Sequence, residues 1–403
     1  MTRAFDTSFV RTHFPALDTP WALFDNAGGS VPAQGVIRRV ADHMGRFPVQ
    51  LGATYELSAR AREAVEGGRA AAATLLNADP GETVLGASST QLVALVARAL
   101  RPLWKEGDEV VVTDVDHETN IGPWRALEEQ GIVCREWRFR EETGELHLED
   151  LEPFLGERTR LVAFTHCSNI VGSIHDVKRF AARIREAGAL SCVDGVAYAP
   201  HRRVDVKNLG VDLYFASLYK IYGPHLAVLY GRRDLLERTR SQNHFFVGED
   251  QVPVKLEPGN PCYELAAGLP GIVEYLEELA AHHGGKGIDD AFAWIAAREA
   301  ELVAPLMRFL QDHPRVQLVG RSGHEIAERV PTVSFTVEGM KASEVPLRLE
   351  EEQIAARYGH FYAYRIIERL GLMEADGAVR VSLLHYNTEE EVAKLVSALG
   401  RIL

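Results

Sequence analysis

Short apolar runs alternate with amphipathic stretches along the chain from about residue 85 onward. The runs that predict strands are 109–113, 160–165, 190–194, 212–216 and 225–230. Helical patterns separate them, such as 177–186, where apolar residues recur every three or four positions before Gly188. Continuous apolar strands that alternate with helices predict an α/β fold with a mostly parallel sheet, covered on both faces. The last two runs flank a tight Gly223-Pro224 loop, which predicts a hairpin.

The C-terminal part of the chain has a different pattern, in which strands and helices have antiparallel spacing. The predicted elements are helix 288–309, strand 332–337, helix 342–349, an irregular loop around Arg357, helix 362–370, strand 379–383 and helix 388–399. Thr388 and Glu391 fit a capping box at the start of the last helix. This pattern predicts a smaller α+β domain over 284–403, after a large domain over 21–283 and an N-terminal arm over 1–20 that packs with the small domain.

Composition narrows the function classes. The chain has 403 residues and a formal net charge of −13, which argues against a nucleic-acid or anionic-membrane surface. The N-terminus has no apolar signal core, and the apolar run 92–97 is cut by Arg98, so no membrane span is expected. The four cysteines show no CxxC or metal-type spacing, which predicts no metal site and reduced thiols in a cytoplasmic protein. They are Cys134, Cys167, Cys192 and Cys262.

Polar residues follow several of the predicted strands, at the edge where open α/β sheets bind ligands. Asp194 ends one strand, and Lys220 follows the next in the block Ser217-Leu-Tyr-Lys220. A lysine amine that can reach an aldehyde, with a carboxylate that can keep a pyridine nitrogen protonated, is the pair that pyridoxal phosphate (PLP) chemistry needs. Taken singly, Lys220 could equally be a surface lysine and Asp194-Gly195 an ordinary turn.

Three further blocks could serve the same site. Ser88-Ser89-Thr90 precedes a helical pattern over 91–100, where backbone N–H groups and hydroxyls can bind phosphate, although a plain N-cap is the commoner use. His117 follows strand 109–113 and could lie on an aromatic cofactor or hydrogen-bond the backbone. Asn169 follows strand 160–165 and could contact a ring hydroxyl or simply stabilise a turn.

In this order, the blocks resemble the class V aminotransferase family of fold-type I PLP enzymes, in its cysteine-desulfurase-like branch. The resemblance covers nearly the whole chain. It begins at 24–29, runs through His117, Ser168-Asn169 and Asp194, and ends at 380–388. The resemblance implies a seven-stranded-type sheet in the large domain and PLP as the cofactor.

The resemblance also implies roles for individual residues. Lys220 would carry the cofactor as a Schiff base and then move protons, Asp194 would pair with the pyridinium nitrogen, and His117 would stack on the ring. Ser89, Thr90 and Ser217 would bind the phosphate, and Asn169 the ring hydroxyl and substrate. Arg380 would clamp the substrate carboxylate, with Asn26 and Tyr362 also at the substrate. Gly259-Asn260-Pro261 matches a phosphate-binding loop of the second subunit, with Asn for Thr, which implies a homodimer with shared sites.

The chain departs from the desulfurase pattern at three positions. Desulfurases carry a mobile persulfide-forming cysteine in an Arg-x-Gly-x-x-Cys loop, whereas this chain has Tyr362 at that position after Arg357 and Gly359. Tyr219 replaces the usual histidine before the Schiff-base lysine, and Ala197 replaces a glutamine that contacts the ring hydroxyl. The first change argues against a protein persulfide, and the other two indicate a reshaped pocket.

The residues and the resemblance together predict a PLP enzyme that acts on an amino acid through a carbanion at Cα. The expected reaction is elimination of a sulfur-bearing or related β-substituent, a C–S lyase reaction without a protein persulfide. Transamination or epimerisation is the alternative, followed by a genuine desulfurase with another sulfur acceptor. A non-catalytic scaffold or regulator of this fold is the remaining interpretation, although a regulator would need a DNA-binding module that the sequence lacks.

Overall fold

The computed structural model of the protein describes residues 4–403. Its strands, in chain order, are β1 (Ala22–Leu23), β2 (Thr83–Gly86), β3 (Glu109–Thr113), β4 (Val133–Trp137), β5 (Thr159–Thr165), β6 (Leu190–Asp194), β7 (Leu213–Ser217), β8 (Ala227–Gly231), β9 (Val316–Val319), β10 (Thr332–Val337), β11 (Ile354–Ala355), β12 (Arg357–Gly359) and β13 (Ala378–Ser382).

The α-helices are α1 (Thr7–Thr12), α2 (Gln34–Arg46), α3 (Glu56–Leu76), α4 (Ser89–Leu100), α5 (Gly122–Arg125), α6 (Leu148–Leu151), α7 (Val177–Glu186), α8 (Val206–Leu209), α9 (Arg233–Arg238), α10 (Tyr263–Gly268), α11 (Pro270–His282), α12 (Ile288–Asp312), α13 (Glu344–Glu350), α14 (Tyr364–Arg369) and α15 (Glu389–Ile402).

The central sheet has seven strands in the order β2-β8-β7-β6-β5-β3-β4. It is parallel except for β8, which runs antiparallel to both of its neighbours. The predicted α/β fold, the mostly parallel sheet and the hairpin at Gly223-Pro224 are therefore confirmed. The strands are continuous apolar runs because both faces of the sheet are covered. Consecutive residues such as Val111 and Val112 belong to different hydrophobic clusters on opposite faces.

A second sheet of four antiparallel strands lies in the C-terminal part, in the order β12-β13-β10-β9. The expected strand 332–337 and the capping box of Thr388 with Glu391 are both present. Helices α12 and α15 cover one face of this sheet and share its hydrophobic cluster. The predicted domain boundaries at 20/21 and 283/284 stay predictions, since nothing in the structure tests where each unit ends.

Two local expectations near the sheet edge were wrong. The residues after Arg357 form the edge strand β12, which pairs with β13, rather than an irregular loop. The next helix begins at Tyr364 instead of residue 362, because Phe361 and Tyr362 both have left-handed backbone conformations, with φ of 49° and 59°. This left-handed pair turns the chain sharply between the small sheet and α14.

Candidate active site

One cavity lies beyond the carboxyl ends of β5, β6 and β7. It brings together seven of the residues expected at the site. Its lining is Ser88, Ser89, Thr90, His117, Thr119, Thr165, Cys167, Asn169, Asp194, Val196, Ala197, Ser217, Tyr219 and Lys220. Four expected residues lie outside this lining, namely Asn26, Asn260, Tyr362 and Arg380.

Lys220 and Asp194 are both buried, and their side chains can carry opposite charges. Lys220 lies in the short 3-10 turn directly after β7, and Asp194 is the last residue of β6. Burial and then the charge of Arg380 lower the pKa of Lys220 to about 8. Burial raises the pKa of Asp194 to about 6, although the Val196 N–H, 2.8 Å from Oδ1, and Lys220 oppose this rise. The site therefore contains an amine that loses its proton easily and a carboxylate that a bound cation would ionise.

His117 follows β3 and is held as a neutral imidazole. Its Nδ1 accepts a hydrogen bond from the Thr119 N–H at 3.1 Å, which leaves the proton on Nε2. Burial, followed by the charges of Lys220 and Arg380, lowers the pKa of His117 to about 3. A neutral, flat imidazole at this position can lie on an aromatic ring without adding charge to the site.

A cradle of hydroxyl groups surrounds the N-terminus of α4. The hydroxyl oxygens of Ser89 and Ser217 are 2.8 Å apart, and those of Thr90 and Thr119 are also 2.8 Å apart. With the unpaired N–H groups and the dipole of the helix end, these hydroxyls form a site suited to a phosphate group. Thr119 was not expected here, because only the sheet geometry brings the His117 loop beside α4.

Tyr219 also lines the cavity. The sequence assigned it no role and showed only that it departs from the family pattern. Burial raises the pKa of its phenol and the Ser217 side chain opposes this rise, so the phenol lies near the hydroxyl cradle. Its ring stacks on His225, with centroids 4.8 Å apart and planes 8° from parallel.

Asn260 lies in a different depression from the cavity. It faces a groove beside α4, together with Gln91, Arg98 and His225. Its backbone is left-handed, with φ of 65°, and its N–H donates to the Glu257 carbonyl at 3.1 Å. Asn260 therefore does not reach the cavity of its own chain, and the expectation of a shared site in a homodimer stays a prediction.

Arg380 lies on β13 and is 2% exposed. One terminal nitrogen donates to the Asn169 carbonyl at 3.2 Å, and the other donates to Asp25 at 2.9 Å. Its Cζ lies 4.0 Å from the centre of the Phe361 ring. Its Nε is buried and has no hydrogen-bond partner, so at least this N–H donor lacks an acceptor within the protein.

Asn26 lies beside β13, outside the cavity lining. Its Nδ2 donates to the carbonyls of Leu23 and Ser382 at 2.9 and 3.0 Å, and its Oδ1 accepts from the Tyr386 hydroxyl. The side chain therefore ties the N-terminal part of the chain to β13, and it does not line the cavity. Its neighbour Asp25 contacts Arg380 instead, which the sequence motif did not distinguish.

Tyr362 stands at the rim of the site and is 64% exposed. Its ring centre lies 5.5 Å from that of His117, and its carbonyl accepts the Glu118 N–H at 2.8 Å. The segment that follows is held to the His117 loop by Arg365, which donates to Glu118 at 2.8 Å, and by the ion pair of Arg369 with Asp114. The position of the family's mobile cysteine is thus tied to the body of the protein.

Of the four cysteines, Cys167 lines the cavity, and it is 1% exposed. Burial raises the pKa of its thiol to about 12 and that of Cys134 to about 11. Burial also raises the thiol pKa values of Cys192 and Cys262. Such thiols remain protonated near neutral pH and are weak nucleophiles.

The sequence profile of the family described as aminotransferase class-V matches residues 22–395, which is most of the chain. The chain belongs to the class-V aminotransferase family. It is 39% identical to the aminotransferase-like protein FGM3 of Gibberella zeae, with 99% of each chain covered. It is 35% identical to the cysteine desulfurase-like protein ustD of Aspergillus flavus, over 100% of this chain and 92% of that protein. Enzymes of this class are PLP-dependent, as the sequence interpretation predicted.

A solved structure supports the same assignment. The apo structure of a cysteine desulfurase from Thermococcus onnurineus NA1 matches with a TM-score of 0.89 and 26% identity, over 100% of this chain and 99% of that one. The predicted fold-type I architecture of this class-V aminotransferase family member is therefore confirmed.

Within 4–403, no group of three or more His, Cys, Asp or Glu side chains is arranged to hold a metal ion. None of the helices described in that range has the length and apolar character needed to cross a bilayer.

The residues in the cavity fit PLP. The cofactor needs an amine for its aldehyde, a carboxylate for its ring nitrogen, a flat partner for its ring and donors for its phosphate. The cavity presents these as Lys220, Asp194, His117 and the hydroxyl cradle, in that order. All four lie at or shortly after the ends of sheet strands, or on the helix that follows β2.

Proposed function

We propose that this protein binds PLP in the described cavity and removes the Cα proton of an amino acid substrate. The observation that carries the proposal is the buried pair of Lys220 and Asp194 in one cavity. When bound there, PLP would supply an electron sink for the charge that develops at Cα. The protein itself would bind and orient the cofactor and the substrate, and its side chains would move protons.

Individual residues divide this work. The Nζ of Lys220 takes the Cα proton, because burial favours its neutral form. Asp194 keeps the ring nitrogen protonated, since a cation beside it lowers the raised pKa of the carboxyl group. His117 supports the ring face, and Ser89, Ser217 and Tyr219 hold the phosphate with α4.

Arg380 binds the carboxylate of the substrate. Its buried Nε without a partner is a donor suited to an external acceptor, and a carboxylate matches the planar guanidinium. Asp25 offsets part of its charge while the site is empty of substrate. Arg380 lies outside the lining of the cofactor cavity, yet it is close enough for its charge to lower the pKa values of Lys220 and His117.

The reaction that follows proton removal is proposed to be elimination of a sulfur-bearing β-substituent. The Cα–H and Cβ–S bonds break, the sulfur leaves as a thiol or sulfide, and the enamine product hydrolyses to a 2-oxo acid and ammonia. No persulfide on the protein is part of this scheme, because Tyr362 replaces the acceptor cysteine and the thiol pKa values are raised by burial. The name of the 39% identical relative, aminotransferase-like, favours transamination as the second candidate.

A product screen on the purified protein tests these proposals. Each amino acid would be assayed for sulfide, 2-oxo acid and ammonia, for amino transfer to a 2-oxo acid, and for inversion at Cα. Release of sulfide or thiol with equal amounts of 2-oxo acid supports elimination, whereas amino transfer or inversion without ammonia supports the alternatives. The Lys220→Ala variant is the control and should lose all of these products.

Spectroscopy separates an enzyme from a scaffold. The protein should show a visible absorbance band that a hydrazine bleaches and that Lys220→Ala lacks. A colourless protein that retains its fold and binds no PLP would contradict the proposed function and favour the scaffold interpretation. We also propose, on the basis of Gly259-Asn260-Pro261, that the active form is a homodimer.

A further inference from the structure

The Arg380 guanidinium is fixed on several sides by groups from both parts of the chain. Asn169, after β5, offers its carbonyl oxygen at 3.2 Å, and Asp25 offers a carboxylate oxygen at 2.9 Å. The Phe361 ring lies against the guanidinium, 4.0 Å from Cζ. The ring is 8% exposed, so water is excluded from this contact. An arginine over an aromatic face is attracted by the negative charge density of the ring, most strongly when the contact is dry.

The backbone that presents Phe361 is strained and tied down. Its φ of 49° is left-handed, as is the 59° of Tyr362, and side chains with a Cβ disfavour this conformation. The Phe361 carbonyl accepts a hydrogen bond from Asn169 Nδ2 at 3.0 Å, and the Tyr362 carbonyl accepts one from the Glu118 N–H. Strain of this kind persists only where surrounding contacts determine the conformation, and such places are often functional.

Asn169 connects these two observations. Its backbone carbonyl binds Arg380 and its side-chain amide binds the Phe361 carbonyl, so one residue sets the distance between the guanidinium and the ring. Each terminal nitrogen of the guanidinium therefore has an acceptor, whereas the buried Nε has none. The plane of the guanidinium is therefore set by Phe361 and Asn169 together with Asp25.

We propose that Phe361 is a positioning residue that fixes the plane of Arg380 so that it selects ligands bearing an α-carboxylate. This inference rests on the proposed function, because it assumes that the ligand is an amino acid. Without the aromatic face, the guanidinium can tilt out of the plane in which it contacts both Asp25 and the Asn169 carbonyl. Carboxylate recognition would then weaken, while the cofactor cavity, to which Phe361 does not contribute, would be unchanged.

The test compares two ligands that differ only in the carboxyl group, L-alanine and L-alaninamide. Both are titrated into the PLP-loaded protein, and dissociation constants are taken from the change in the visible absorbance of the bound cofactor. The ratio of the two constants measures carboxylate selectivity without turnover. The variants are Phe361→Leu, which removes the aromatic face, Phe361→Tyr, which keeps it, and Tyr358→Leu, a control on exposed β12 in the same segment.

We expect Phe361→Leu to reduce the selectivity for L-alanine by about 3- to 30-fold, the range of a cation–π contact from exposed to buried sites. Phe361→Tyr should keep most of the selectivity, and Tyr358→Leu all of it. PLP affinity, measured by fluorescence of the apoprotein, should change by less than about threefold in every variant. Should Phe361→Leu not bind PLP, Phe361→Met is titrated in its place with the same expectation.

The outcomes separate the two proposals. Unchanged selectivity in a PLP-loaded Phe361→Leu or Phe361→Met variant overturns the positioning role alone. Equal loss in Phe361→Tyr and Phe361→Leu also overturns it, because the aromatic face would then be irrelevant. A wild-type protein that binds PLP but does not prefer L-alanine to its amide overturns the carboxylate site at Arg380, and one that binds no PLP overturns the proposed function.

Discussion

The hydroxyl oxygens of Ser89 and Ser217 lie 2.8 Å apart, although 128 residues separate them in the chain. One residue begins α4 and the other ends β7, so the contact joins the helix that follows β2 to a central strand. Two hydroxyls that face each other at a helix N-terminus can both turn their protons to an incoming anion. This pair is the centre of the proposed phosphate cradle.

We predict that replacing both serines with alanine weakens PLP binding far more than it weakens the fold. Each lost hydrogen bond to a charged phosphate costs about 1.5–3 kcal/mol, or roughly a 10- to 150-fold rise in the dissociation constant. Titration of the apoprotein by fluorescence checks this. Ser397→Ala, at an exposed position of α15, is the control and should bind PLP normally. Normal affinity in the double variant would remove the pair from the phosphate site.

Asp194→Asn should retain bound PLP but lose most activity. A neutral amide cannot hold the proton of the ring nitrogen, so the electron sink weakens while the shape of the site is kept. The comparison is of turnover and of the visible spectrum in the wild-type protein and the variant, with a thermal melt to check folding. A rate close to wild type would mean that the carboxylate has only a structural role.

Loading of the apoprotein with PLP should become faster as the pH rises from 7 to 9. Burial and Arg380 lower the pKa of Lys220 to about 8, so the neutral amine that attacks the aldehyde is about one tenth of the total at pH 7 and most of it at pH 9. Stopped-flow absorbance gives the rate at each pH. A midpoint near the ordinary lysine value of 10.5 would show that the site does not perturb this amine.

Activity should survive replacement of all four cysteines by serine or alanine, provided that the fold survives. Cys167 is the cysteine that lines the cavity, and burial keeps its thiol protonated. Intact-protein mass spectrometry after incubation with L-cysteine should find no added sulfur. A sulfur adduct on Cys167 that disappears together with activity in Cys167→Ser would restore a true desulfurase.

Asn260 should act on the cofactor of the other subunit. The Asn260→Asp variant places a carboxylate beside the phosphate in this arrangement and should bind PLP weakly. Mixed with inactive Lys220→Ala under conditions that exchange subunits, it should regain activity, because hybrid dimers then contain one site with intact Lys220 and intact Asn260. No gain on mixing, or a fully active monomer in sedimentation, would contradict a shared site.

Much of the site was predictable because strand ends determine it. Asp194 and Ser217 end buried strands, and His117 and Lys220 follow strands within a few residues, so the parallel sheet alone brings them to one edge. Because the sheet has the predicted strands, these side chains lie in the same cavity. Their chemical roles remain proposals that the experiments above test.

The contacts of Arg380 could not be predicted in the same way. Phe361, Asp25 and Asn169 reach it from three distant parts of the chain, and periodicity carries no information on such contacts. Left-handed backbone is usually indicated by a glycine in the sequence, but here it occurs at Phe361 and Tyr362. The sequence therefore predicted a helix from residue 362. For Asn26, the motif located the turn but not which of its side chains faces Arg380.

The attachment of the Phe361–Tyr362 turn at both carbonyls also bears on protein engineering. A single exchange, Tyr362→Cys, would graft a thiol onto an anchored turn, whereas sulfur relay in desulfurases uses a residue that swings between donor and acceptor. To restore such movement, the hydrogen bonds from Asn169 and Glu118 would also have to break. The Phe361 ring would then no longer be held against Arg380. In this scaffold, the proposed carboxylate recognition by Arg380 and the mobility needed for sulfur relay place opposite demands on the same hydrogen bonds.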